Sequence, residues 1–170
     1  MNLRETLLKE HSKTNTTRIV NYIGHDPELF EELMNLFLKD DYRVGQRAAW
    51  VVSYCGRAHP ELITPYIKVM LKNLDNPVHD SVKRNTMRVF QNFDIPKSLQ
   101  GLALKQCLRL VEGNESIAIK VFSITILGNI AKQHPDLKHE LKLLIETQIP
   151  FASKGFLSRA TKVLKSLNKL

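Results

Sequence analysis

The stretch PELITPYIKVMLKNLDNPVHDSVKRNTMRVFQNF, residues 60–93, decides the fold. After Pro60, apolar residues recur as Leu62-Ile63, Tyr66-Ile67, Met70-Leu71 and Leu74, the i, i+3/i+4 stripe of an amphipathic helix. Asp75-Asn76-Pro77 breaks that stripe and starts a second one through Val78, Val82, Val89-Phe90 and Phe93. The stretch therefore reads as a helical hairpin with two apolar faces. A lone hairpin cannot bury both, so neighbours of the same kind are required.

Working outward from Pro60, such neighbours are present on both sides. Pro27, Pro60, Pro96 and Pro135 recur at intervals of 33, 36 and 39 residues, each followed by an apolar-periodic run. Proline at the first helical position costs nothing, because that N–H has no intrahelical partner. Asp26 and Asp94 read as N-caps beside two of these starts. Gly24 and Gly56 fall where the preceding helices need a C-terminal glycine. The two-helix phrase recurs over 27–56, 96–133 and 135–169, and an amphipathic pair at 3–11 and 15–23 precedes them. The sum is about ten helices in five hairpins, a single domain over 1–170. One segment pulls the other way. Ile117-Ala-Ile-Lys-Val-Phe-Ser-Ile-Thr-Ile126 is rich in β-branched residues and alternates like a strand. It is read as a helix, because no partner strand is evident and a helix packed between two neighbours is apolar nearly all round.

A repeat near 36 residues built from a helical hairpin marks an α-solenoid. Its second helices carry a phrase of their own. Ile119-Lys120-x-x-Ser123-x-x-x-Leu127-Gly128-x-Ile130-Ala131 has an apolar-basic pair, a small residue three positions on, then Leu-Gly. Val82-Lys83-x-x-Thr86-x-x-x-Phe90, with the acidic turn before it, follows the same phrase, and Arg47-Ala-Ala-Trp50 follows it less closely. This phrase resembles the HEAT repeat family over most of the chain. The resemblance implies an all-α, right-handed α-α superhelix of about five hairpins acting as a binding scaffold. It also implies that the second helices line the concave face. Arg47, Lys83 and Lys120, 36 and 37 residues apart, then occupy equivalent positions, with Arg18 extending the row. Such a row is either a stripe for phosphates or an acidic peptide, or a structural ladder. In the ladder, Asp40 and Asp41 precede Arg47, Asp75 precedes Lys83, and Glu112 and Glu115 precede Lys120. Arg84 and Arg88 are less committed to such a ladder and are candidates for a binding surface.

Composition narrows the function classes. With 43% hydrophobic and 25% charged residues the chain is an ordinary globular one. The N-terminus lacks the apolar core of a signal peptide, and no run approaches a membrane span, so a cytoplasmic protein without a membrane partner is expected. The formal net charge of +8 is uneven: residues 116–170 hold nine basic and three acidic side chains, net +6. That asymmetry suits nucleic acid or an acidic protein. The last helix, Lys154 to Leu170, is basic and amphipathic; it reads as a cap over the preceding hairpin.

Catalytic signals are missing. There is no Gly-x-Ser-x-Gly, no phosphate-cradling Gly-rich loop, no His-Glu-x-x-His and no Cys-x-x-Cys. Cys55 and Cys107 sit among apolar residues and read as core. His25, His59 and His134 occupy equivalent positions just before helix starts. Hairpins stacked about 8–10 Å apart place them too far apart to share a zinc ion, so neither metal nor cofactor is expected. Trp50 and Tyr54, at i and i+4, either pack in the core or stack on a ligand. HEAT-like DNA alkylation-repair glycosylases pair such aromatics with an acid, but Trp50's helix face carries no carboxylate. The expectation is a non-enzymatic monomer that binds a protein partner, with nucleic acid as the alternative. Arg47, Trp50, Lys83, Arg84, Arg88 and Lys120 are the candidate surface.

Overall fold

The computed structural model describes residues 1–39 and 41–169, and among them every regular element is helical. The chain forms two compact units, Met1–Val89 and Phe90–Leu170.

In the first unit α1 (Leu3–Lys9) pairs with α2 (Lys13–Ile23), and α3 (Pro27–Lys39) with α4 (Tyr42–Ala58). Polar side chains fix where they start. Asn2 Oδ1 accepts from Glu5 N–H, Ser12 Oγ from Asn15 N–H, and Asp41 Oδ1 from both Arg43 and Val44 N–H. Asp26 does the same for α3, accepting from Glu28 and Leu29 N–H. Gly24 ends α2 at φ +50°, a conformation open to glycine. The third hairpin is less regular than its apolar stripe suggests. Pro65 divides its first helix into α5 (Pro60–Ile63), a 3₁₀ turn (Thr64–Tyr66) and α6 (Ile67–Asn73), because proline cannot donate to the carbonyl one turn back. The second helix, α7 (Asp80–Phe90), starts three residues after Pro77. His79 Nδ1 accepts from Ser81 N–H at 2.9 Å there, so the imidazole does the work expected of the Asp75-Asn76-Pro77 turn.

The core of this unit is the set of facing stripes: Phe30, Leu33, Met34 and Phe37 of α3, Val44, Ala48 and Val52 of α4, then Ile63, Ile67 and Met70. Gly56 is not a helix end. It lies inside α4, where an added Cβ would meet Ile63 Cγ1 at 2.9 Å, so its smallness lets α5 come close.

The second unit holds α8 (Lys97–Glu112), α9 (Ile117–Ala131), α10 (Lys138–Gln148, preceded by a 3₁₀ turn at Pro135–Leu137) and α11 (Lys154–Leu167). Two sequence expectations shift by a residue or a role. Pro96 takes the N-cap position of α8, and Asp94 accepts instead from Gln133 Nε2. The β-branched run is helical throughout: Ile119, Ser123, Ile124, Ile126, Leu127 and Ile130 are buried. Neighbours press on α9 from α8, α10 and α11, which is why its apolar residues encircle it. At Gly128 an added Cβ would stand 2.9 Å from Val163 Cγ1 of α11. Phe156, Ala160, Val163 and Leu167 bury the inner face of α11 while Lys162, Lys165 and Lys169 stay exposed. Leu170 lies outside the described residues.

Candidate functional site

A cleft of roughly 270 Å³ opens in the first unit between α4 and α7. The helical period sets its walls. Ser81, Arg84, Asn85 and Arg88, at i, i+3, i+4 and i+7, form one face of α7, and Gln46 and Trp50, at i and i+4, form one face of α4. His11, from the loop after α1, and His79 and Asp80, at the start of α7, complete the lining. Ser81 Oγ donates to Gln46 O at 3.2 Å and Asn85 Nδ2 to Ser81 O at 2.8 Å, which ties the floor together.

The lining rings His11, Trp50 and His79 are held by ring contacts. The His11 ring lies 5.1 Å from Trp50, Trp50 meets Tyr54 edge-on at 6.0 Å, and Tyr42 meets His79 edge-on at 4.8 Å. Arg57 and Arg88 stand over the Tyr54 ring at 5.3 and 5.9 Å, a cation–π arrangement that aims both guanidinium groups. Burial, and then the charge of Arg47, hold the His11 imidazole below its ordinary pKa.

The six sequence-predicted residues separate into two groups. Trp50, Arg84 and Arg88 come together in the cleft. The other three are tied elsewhere. Arg47 turns back under α1 and donates from Nη1 to Leu7 O and Leu8 O, both at 2.8 Å. Its role is to cap the C-terminal carbonyls of that helix. Lys83 Nζ lies 3.9 Å from Asp80 Oδ1 on its own helix, with its side chain only 19% exposed. In the second unit Lys120 Nζ donates to Gln148 Oε1 at 3.2 Å. The ladder reading is therefore corrected in its chemistry at Arg47 and Lys120, where an amide or carbonyl oxygen serves as acceptor. Asp40 lies outside the described residues, while Asp41 caps α4 and holds Arg4 Nη2 at 2.7 Å.

Three features escaped the sequence. His11 and His79 reach the cleft from loops whose course no periodicity reveals. Asp80 puts a carboxylate into the cleft that holds Trp50, supplied by α7 rather than by Trp50's own helix; its side chain is 70% exposed. Hairpin spacing also does not keep every histidine pair apart. His25 and His59 touch, ring centroids 4.0 Å apart, because both stand on turns at hairpin ends, where side chains bridge the gap between helix axes. His134 is used differently, donating from Nε2 to Gln100 Oε1 at 2.7 Å. Cys55 and Cys107 are buried as expected, and burial pushes both thiols up, Cys55 to about 12. No helix among the described residues is long and apolar enough to cross a membrane.

No curated protein and no solved structure matches the chain. A family model does, and it spans nearly all of the hairpins described above. That model is the HEAT repeat domain, it matches residues 3–167, and the chain therefore belongs to this family, whose repeats generally serve as protein-interaction scaffolds.

Proposed function

We propose that this protein is a non-catalytic scaffold whose cleft between α4 and α7 receives an acidic segment of a partner protein. The observation that carries this reading is that Arg84, Arg88 and Trp50 line one cleft. Arginines beside a large aromatic are the side chains most often found at interface hot spots. Guanidinium groups grip carboxylates in pairs of parallel hydrogen bonds, and the Trp50 ring offers apolar area between them. Asp80, mostly exposed and beside Lys83, is screened by water and by that lysine. It acts here as a filter that repels segments acidic at the wrong position.

The chain's only tryptophan is in this cleft, which makes it an internal reporter. Titration with a peptide of alternating Glu and Leu should shift Trp50 emission with roughly micromolar affinity. Arg84→Glu with Arg88→Glu should abolish the shift while leaving helicity intact. An unchanged affinity in that double variant would move the binding surface elsewhere.

Nucleic acid is the second reading, favoured by the same Trp50–arginine pairing, since a base stacks on an aromatic and phosphates follow arginines. The two separate by titration of single-stranded DNA, duplex DNA and RNA at about 50 and 200 mM salt. Affinity for phosphates falls steeply across that range. Tight, salt-sensitive binding to any of the three would replace the peptide reading.

A further inference from the structure

The pair of histidines that sequence reasoning held apart meets a carboxylate. His25 donates from Nδ1 to Glu61 Oε1 at 2.7 Å, and His59 Nδ1 lies 3.9 Å from the same oxygen. One ligand atom from each of the three side chains can be chosen so that all lie within 4.8 Å of one another. His59 Nδ1 is buried and has no hydrogen-bond partner. An imidazole nitrogen in that position has lost water and gained nothing in return, which is costly. A cation placed between the three groups would satisfy it.

We propose that His25, His59 and Glu61 form a zinc-class divalent metal site that joins the start of α3 to the start of α5. The donor set decides the class. Two imidazoles and one carboxylate suit zinc and its transition-metal neighbours, whereas calcium and magnesium favour oxygen alone. A tetrahedral ion with bonds of about 2.1 Å sets its ligand atoms roughly 3.4 Å apart. The three groups reach that spacing by small rotations, and the side chains of His25 and Glu61, 77% and 55% exposed, have room to make them. His59, 17% exposed, is the fixed member. The local sequence repeats the arrangement, His25-Asp-Pro-Glu28 and His59-Pro-Glu61, so each hairpin brings its histidine beside the proline that starts a helix. Three protein ligands leave one position on the ion open to water or to a donor from another molecule. This site is separate from the cleft and stands or falls independently of it.

The test uses the full chain, stripped of metal, in competition with a chromophoric chelator for zinc alone. One zinc per chain is expected, with a rise in thermal midpoint on binding. His25→Ala and Glu61→Gln should each weaken binding by at least ~10-fold, the lower end of what even an outer-shell partner contributes. Both residues are exposed, so neither change threatens folding. His139→Ala, at an exposed histidine of the second unit, should leave affinity unchanged. Cobalt substitution should give the visible bands of a four-coordinate ion. Failure to compete with the chelator, or zinc binding that survives both His25→Ala and Glu61→Gln, would overturn the proposal.

Discussion

Single residues in this chain are decided by what one atom would touch, and two glycines show it. An added Cβ at Gly101, inside α8, meets nothing within 4 Å, whereas at Gly128 it meets Val163 Cγ1 at 2.9 Å. Gly101→Ala should therefore stabilise by about 0.5–1 kcal/mol through helix propensity. Gly128→Ala should destabilise by about 1–3 kcal/mol through overpacking. Urea midpoints of the two variants should fall on opposite sides of the wild type. Arg47 supplies a second case. Arg47→Met should cost about 1–3 kcal/mol, because the Leu7 and Leu8 carbonyls lose their donor. The peptide-induced shift in Trp50 emission should survive that change; its loss would return Arg47 to the binding surface. Register alone does not separate Arg47 from Lys83, although the phrase around Arg47 is the poorer match. Their different ends come from what lies within reach, the open end of α1 in one case and an aspartate one turn back on the same helix in the other.

At the level of elements, proline spacing made the hairpins legible, since each interval holds two apolar stripes and a turn. Element ends were less so. Pro65 and Pro77 look alike in the sequence, yet one cuts a helix into pieces and the other stands in a loop before the next. The difference lies in whether hydrogen-bonding alternatives exist nearby: His79 supplies one for α7. Helix α9 offers the clearest test of fold against local preference. Leu127 is fully buried and Ile117 is 52% exposed. Leu127→Ala should cost about 2–5 kcal/mol, while Ile117→Ala should stay within about 0.5 kcal/mol of wild type. Equal losses at both positions would mean that the segment packs on both faces, as a buried strand does. The cleft was legible only in part for a related reason. Periodicity aligned Arg84 with Arg88, and put Trp50 on its own helix face, but side chains that enter from turns carry no period.

For the molecule as a whole, the two thiols link stability to alkaline pH. Burial raises Cys55 to about 12 and pushes Cys107 up as well, from an ordinary value of about 8.5–9. A thiol with a raised pKa keeps its proton when folded and loses it when unfolded. It adds stability that is complete below about pH 8.5 and declines as pH climbs toward the folded value. Each should contribute a slope of up to about 1.4 kcal/mol per pH unit in that window. Urea midpoints between pH 8 and 10 should show this decline, and Cys55→Ala with Cys107→Ala should flatten it. The same two residues have another consequence. One sulfur is enclosed in each compact unit, and a thiol-specific dye can reach it only when that unit opens. With either cysteine replaced, the labelling rate of the other times the opening of a single half, so the chain carries a separate clock for each.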